Sequence, residues 1–208
     1  MFGLFKKAKP KNWEIELLRN VLIQLPNEIA KLFIDQIDEG LFRKVLRLKS
    51  DIPGYSPLAY NSAIYNKFYD KKGKNYMFSN IKVFDAKNAV LVNYAIYVSY
   101  GVMNGFSIDS IGKYEIDNTQ IDTTNFRKTL IENDDYNQIA SILTNDEKDA
   151  INPSDVYIVT LEGKDYYHIK DLEDGDFIGI DLNKKVYKIT HDPYEIILLD
   201  ERIEELLK

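Results

Sequence analysis

The run DYYHIKDLEDGDFIGID, residues 165–181, decides the fold of this chain, because two short apolar-rich segments flank the dipeptide Asp174–Gly175. Alternating apolar and polar residues are typical of a half-buried β-strand, and Asp-Gly is favoured in the type I′ turn of a β-hairpin. The run therefore predicts two antiparallel strands joined by a tight turn, with the acidic side chains of the turn in solvent.

The segments around this hairpin repeat its pattern. DVYIVTL precedes the hairpin and KVYKIT follows it, with turns predicted at Glu162–Gly163 and at Asn183–Lys184. Farther upstream, YMFSNIKVF, AVLVNYAIYVSYGV and FSID are rich in β-branched and aromatic residues, which favour strands. Residues 85–88 are predicted to form a hairpin turn between the first two of these. Together the segments predict a sheet that is mostly antiparallel.

Two helices are predicted before the strands. Apolar residues at three- and four-residue spacing predict a helix over about 13–24, and a second over about 27–38 follows the boundary at Pro26. Residues 119–153 lack strand alternation and predict a helical insertion, with helices at about 123–132 and 134–143.

A C-terminal helix is predicted over about 195–207, with Asp192 as its cap and Pro193 at its first position. The order of the elements predicts an α+β fold, with N-terminal helices, a mostly antiparallel β-sheet with a helical insertion, and a C-terminal helix. We expect residues 1–208 to form a single domain in which residues 1–12 are flexible.

Composition narrows the classes of function. The 208 residues include 33 Asp and Glu against 27 Lys and Arg, so the net charge is −6 and the pI about 5.1. An acidic protein favours a basic partner and disfavours nucleic acid. The absence of cysteine excludes disulfides, thiolate zinc sites and a cysteine nucleophile, and it fits the cytoplasm. Because no apolar run approaches the roughly 20 residues of a membrane span, we expect no stable membrane association.

The acidic turn is the candidate binding site. Its carboxylates do not fit an EF-hand loop, because aligning Gly175 with position 6 places Lys170 and Leu172 where oxygen ligands are required. No metal or cofactor is therefore predicted. The side chains predicted to contact a partner are those of Asp171, Glu173, Asp174 and Asp176.

A catalytic interpretation depends on the two histidines, His168 and His191. The sequence contains none of the motifs of zinc proteases, α/β-hydrolases, P-loop enzymes or dinucleotide-binding enzymes. His191 beside Asp192 leaves open a metal-assisted hydrolase. A second alternative is a structural domain that self-associates through its aromatic sheet, since the chain has 15 tyrosines and 10 phenylalanines. The leading expectation is a protein that binds another protein and is not an enzyme.

The C-terminal segment has a recognisable pattern, which is carried by Gly175, Asp176, Ile180, Asp181, Val186, Tyr187, His191 and Asp192. This pattern resembles the closing part of the SUKH superfamily. Members of that superfamily end in an acidic Gly-Asp turn, a strand bearing an Ile-Asp pair, a second strand leading to a His-Asp pair, and a final helix. LPNEIAKLF at 25–33 is similar to the Leu-Pro helix start near the beginning of that family, whereas its usual Ile-Gly or Trp-containing central strand is missing here.

This resemblance implies an α+β domain that binds a protein and carries no catalysis of its own. In that superfamily the partner is commonly a bacterial toxin, which the domain neutralises as an immunity protein. A basic toxin domain would suit the acidic composition, because complementary charge accelerates docking. Neither the identity of the partner nor the oligomeric state follows from the sequence.

Overall fold

The computed structural model describes residues 12–110 and 113–207, and it confirms the predicted α+β class. The prediction that residues 1–12 are flexible lies outside the described residues, except for Asn12, which begins the first helix. The chain divides into two compact units, residues 1–129 and 130–208, each with its own sheet. No described helix is both long and apolar enough to cross a bilayer.

The described residues of the first unit form three helices and a seven-stranded, mostly antiparallel sheet, with the strand order β1-β2-β5-β4-β3-β6 and β7 also paired to β3. The first two helices match their predicted positions closely, whereas α3 was not predicted. The helices are α1 (Asn12–Ile23), α2 (Asn27–Asp38) and α3 (Ser62–Phe68), and the strands are β1 (Phe42–Val45), β2 (Tyr55–Tyr60), β3 (Tyr76–Asp85), β4 (Val90–Ser99), β5 (Val102–Asp109), β6 (Ile116–Asp122) and β7 (Arg127–Leu130).

The core of this unit lies where α1 and α2 bury their apolar residues with those of β3, β4 and β5. Aromatic rings on neighbouring strands pack together as expected, for example Tyr94 on Phe106 with a centroid distance of 5.7 Å. Burial removes these side chains from water, and this stabilises the helix–sheet arrangement. The fully buried residues include Leu17, Leu18, Val21, Leu22, Phe33, Phe78, Ile81, Ile96 and Phe106.

A buried carboxylate, that of Asp85, organises the predicted turn between β3 and β4. It accepts hydrogen bonds from the backbone N–H of Glu115 (3.1 Å), from Asn88 Nδ2 (2.6 Å) and from Ser110 Oγ (3.1 Å). Burial alone would raise the pKa of Asp85. The hydrogen bonds from Glu115, Asn88 and Ser110 outweigh burial and lower the pKa to about 2.

We expect Asp85 to make the stability of this unit depend on pH. Its folded pKa is below the unfolded value of about 3.9, so its contribution is present above pH 4 and is lost as the pH falls towards 2. Asp85→Asn should lower the urea midpoint at pH 7, and the deficit should shrink at pH 3. The exposed Asp51→Asn is the control. An Asp85→Asn deficit of equal size at pH 7 and pH 3 would contradict this assignment.

The second unit contains three short helices and a five-stranded antiparallel meander in chain order, β8 to β12. The four strands predicted around residues 165–181 are confirmed. The helices are α4 (Asp134–Ile139), α5 (Asn145–Ala150) and α6 (Ile203–Leu206), the strands are β8 (Tyr157–Leu161), β9 (Lys164–Asp171), β10 (Phe177–Ile180), β11 (Val186–His191) and β12 (Tyr194–Leu199), and single 3-10 turns lie at Pro153–Asp155 and Glu173–Gly175.

The predicted C-terminal helix over 195–207 is wrong for most of its length. Tyr194–Leu199 form β12, which pairs with β11 in continuous register, and only Ile203–Leu206 are helical. The dipeptide Asp192–Pro193 lies in the turn between these strands, where its peptide bond is cis, and does not begin a helix. Residues 196–199 are consecutively apolar, and periodicity alone does not distinguish a strand from part of a helix in so short a run. Pairing with β11 decides between the two.

The helical insertion is only partly correct. The predicted helix over 123–132 is wrong, because residues 116–122 and 127–130 form the strands β6 and β7. The helix predicted over 134–143 is confirmed over Asp134–Ile139, and a second one follows at Asn145–Ala150, where Thr144 and Glu147 form a capping box. Apolar residues are sparse in 116–130, so their spacing favours a helix only weakly. Backbone pairing of β6 and β7 with β3 stabilises strands here instead.

Candidate partner-binding surface

The acidic turn between β9 and β10 has the predicted geometry. Asp174 (φ 58°) and Gly175 (φ +82°) occupy the left-handed region, as the two central residues of a type I′ turn must, and the N–H of Asp176 donates to the carbonyl of Glu173 at 3.2 Å. Glycine suits position 175, because its φ of +82° lies in the left-handed region that glycine adopts without strain, and a Cβ there would also lie 2.8 Å from Cε1 of His191. The turn therefore holds its side chains in a defined arrangement.

The four predicted carboxylates are in different environments. Glu173 and Asp174 are exposed, and the side chain of Asp171 is 81% exposed although its Oδ1 lies 3.0 Å from Nε2 of His168. Asp176 differs, since its side chain is only 22% exposed and its Oδ1 lies 2.9 Å from Nδ1 of His191. Three of the four carboxylates can therefore meet another molecule directly, and Asp176 mainly positions the turn.

Both histidines lie at this end of the second sheet and hold the acidic turn in place. His168 is buried, and its Nδ1 lies 3.1 Å from the backbone carbonyl of Asp155 while its Nε2 faces Asp171. His191 bonds Asp176 through its backbone N–H as well as its ring. The pair of His191 with Asp176 depends on how β10 and β11 are aligned, so the sequence did not reveal it, whereas His168 and Asp171 lie three residues apart in β9.

The alternative of a metal-assisted hydrolase required His191 and Asp192 to act together. The hydrogen bonds described for His191 are with Asp176. Within residues 12–110 and 113–207, no group of three His, Asp or Glu side chains is arranged to hold a metal ion. A shallow pocket of about 430 Å³ between α5 and α6 is lined partly by Asp146, Arg202 and Glu204, and neither histidine borders it.

The five-stranded sheet curls so that the start of β12 approaches the turn between β8 and β9. The pKa of Tyr194, at the start of β12, is raised by burial, by the charge of Glu162 and by a side-chain hydrogen bond with Glu162, which lies in the turn between β8 and β9. Leu161 from β8 and Ile196 from β12 pack on the same small cluster around Tyr166. Apolar residues on the inner side of the curl therefore have a core of their own, and the helices cover the other side.

Charge is segregated between the two units. Residues 130–208 carry 20 Asp and Glu against 8 Lys and Arg, a net charge of −12, whereas residues 1–129 carry 13 against 19, a net charge of +6. The overall value of −6 hides this division. Acidity therefore favours a basic partner for the second unit, which contains the candidate surface, and not for the first.

Comparison of the chain with protein-family models, with curated proteins and with solved structures finds no match. The resemblance to the SUKH superfamily therefore stays a prediction, and functional argument rests on the geometry and charge of the surface itself.

Proposed function

We propose that this protein is a non-enzymatic protein-binding domain whose second unit presents the acidic turn to a basic partner. The observation that carries the proposal is the net charge of −12 on residues 130–208, with Asp171, Glu173 and Asp174 exposed on one turn. A surface with such an excess of one sign steers an oppositely charged protein into contact and increases the association rate.

The partner that best fits this proposal is a basic toxin domain, which the protein would neutralise in a bacterial cytoplasm as an immunity protein. Many toxin domains act on nucleic acids, so their substrate-binding grooves are positively charged, and an acidic turn is complementary to such a groove. The SUKH resemblance of residues 175–192 supports the same class of partner.

The test uses the full chain and the protein encoded by the adjacent reading frame. We expect a 1:1 complex in size-exclusion chromatography. Its association rate constant, measured by stopped flow, should fall about tenfold or more as NaCl is raised from about 50 to about 500 mM. An association rate that does not respond to salt would contradict the acidic-surface proposal.

A pair of charge variants tests whether the acidic turn is the site. Glu173→Gln/Asp174→Asn removes two exposed charges from the turn and should slow association about threefold to tenfold. Asparagine is well tolerated in the left-handed conformation of residue 174, so the turn should persist. Glu132→Gln/Asp149→Asn removes two exposed charges elsewhere in the same unit and should have a smaller effect. Equal effects of the two pairs would show that the turn is not the contact.

A further inference from the structure

The strand β12 is an unprotected edge of the second sheet. It ends the strand order, and no described strand pairs with its outer side. Its exposed apolar side chains include Tyr194, Ile197 and Leu198, the last of them 53% exposed. Natural proteins usually protect such edges with lysine, proline, a bulge or a covering element, because an open edge can pair with another chain.

Lysine, proline and a bulge are all absent from β12. The strand YEIILL contains no lysine or proline, and its register with β11 is uninterrupted. At the opposite edge, β8 is protected, since its Ile158 N–H donates to Asp135 Oδ2 at 3.1 Å and Asn133 Nδ2 donates to the carbonyl of Val156 at 2.7 Å. One edge of the same sheet is therefore covered by the start of α4, and the other is open.

The hydrogen bonds of β11 show which groups of β12 face outward. The N–H of His191 donates to Asp176, on the β10 side, and the carbonyl of Lys185 accepts from Asp181 on that side as well. Because backbone groups alternate along an antiparallel strand, Thr190 and Lys188 point towards β12, where they pair with Glu195 and Ile197. The N–H and C=O groups of Ile196 and Leu198 consequently point away from the sheet.

We propose that the outer edge of β12 binds an extended segment of the basic partner as a sixth strand of the sheet. This inference rests on the proposed function for the sign of the partner's charge. Glu195, Asp200 and Glu201 are exposed in and after the strand, so a segment alternating apolar with basic residues is complementary to it. Pairing of β12 with a second copy would bring together two units of net charge −12, which repel each other.

The experiment uses the full-length ¹⁵N-labelled protein and a capped synthetic octapeptide that alternates lysine with valine. We expect the peptide to slow hydrogen exchange of the Ile196 and Leu198 amides, while the Ile197 amide, already paired with β11, should change little. Leu198→Lys should weaken peptide binding at least about tenfold, a change of about 1.4 kcal/mol. Exchange at Ile196 and Leu198 that is unaffected by the peptide would overturn the inference.

Leu182→Lys is the matched control, because Leu182 is 56% exposed and lies in the turn between β10 and β11. It adds the same charge and removes a similar apolar surface, so its peptide affinity should stay within about twofold of the unmodified protein. Equal weakening by the two variants would overturn strand addition. Urea midpoints equal to that of the unmodified protein would establish that both variants are folded.

Salt and the turn variant separate this inference from the proposed function. Binding that depends on Leu198 but does not respond to NaCl or to Glu173→Gln/Asp174→Asn would support strand addition and oppose the acidic-surface proposal. Binding that responds to salt and to the turn variant but not to Leu198→Lys would have the opposite meaning. Failure of the peptide to bind would overturn strand addition, and the acidic-surface proposal would still be tested with the adjacent gene product.

Discussion

Phe78→Ala is expected to lower the free energy of unfolding of the first unit by about 3–5 kcal/mol. The Phe78 ring has no exposed surface, and it is central to an aromatic cluster in which the rings of Phe33, Tyr76 and Phe126 lie 5.3–5.5 Å away. Removing the ring leaves a cavity bounded by α2 and β3, whose backbones are fixed by their own hydrogen bonds and cannot close the gap completely.

The measurement is urea unfolding monitored by tryptophan fluorescence. Trp13 is the only tryptophan of the chain and lies in α1 against Tyr114, so its signal reports the first unit. Leu91→Ala, in the neighbouring strand β4, is the control because its side chain is 54% exposed, and it should cost less than about 0.5 kcal/mol. A Phe78→Ala loss no larger than that of the control would show that this cluster is not part of a packed core.

Gln36→Leu is expected to cost about 2–4 kcal/mol although leucine is similar in size. Gln36 is fully buried in α2, where Nε2 donates to the carbonyl of Gly101 at 2.7 Å and Oε1 accepts from the N–H of Met103 at 3.1 Å. These bonds connect the helix to the turn between β4 and β5. Leucine would leave the buried N–H of Met103 and the partly buried carbonyl of Gly101 without these partners, and the loss should appear in the same fluorescence-detected urea curves.

Gln36→Glu distinguishes lost hydrogen bonds from altered packing. At pH 7 the introduced carboxylate can accept from Met103 but cannot donate to Gly101, so the variant should be destabilised. Burial favours the neutral acid, which restores the donor, so stability relative to the unmodified protein should recover as the pH falls through the folded-state pKa of the introduced carboxyl group. Gln36→Leu should show no such recovery, and the exposed Gln24→Leu should stay within about 0.5 kcal/mol. A Gln36→Glu deficit independent of pH would contradict the hydrogen-bond explanation.

The sequence correctly predicted those helices, strands and turns whose local residue pattern is compatible with only one type of element. The spacing of Leu17, Val21 and Leu22 predicted α1, and the Asp174–Gly175 dipeptide predicted a turn whose residues indeed have positive φ. Local pattern failed where apolar residues were sparse or consecutive. Within the segment 123–132, residues 127–130 became β7, and Ile196 to Leu199 became part of an edge strand, because in both cases a neighbouring strand supplied backbone partners that no local spacing reveals.

The sequence predicted which acidic residues form the candidate site, but it did not predict how their side chains are arranged and bonded. Exposure of Glu173 and Asp174 follows from the turn, whereas the bond between Asp176 and His191 depends on the register of β10 with β11. β12 can be recognised as an open edge only when it is known to be a strand. The consecutive apolar residues of YEIILL after Pro193 were the feature of the sequence that could have indicated this strand. Segregation of charge was equally present in the sequence, but it becomes visible only when the boundary at residue 130 is known.

The corner where Glu162 meets Tyr194 has a consequence for biosynthesis. Each strand of the second sheet pairs with its immediate neighbours in the chain, so successive hairpins can form as the polypeptide leaves the ribosome. The cluster around Tyr166 also needs Ile196, which is translated near the end of the unit. Until that last strand emerges, the cluster lacks the contact of Ile196, and we expect this interval to favour chaperone binding.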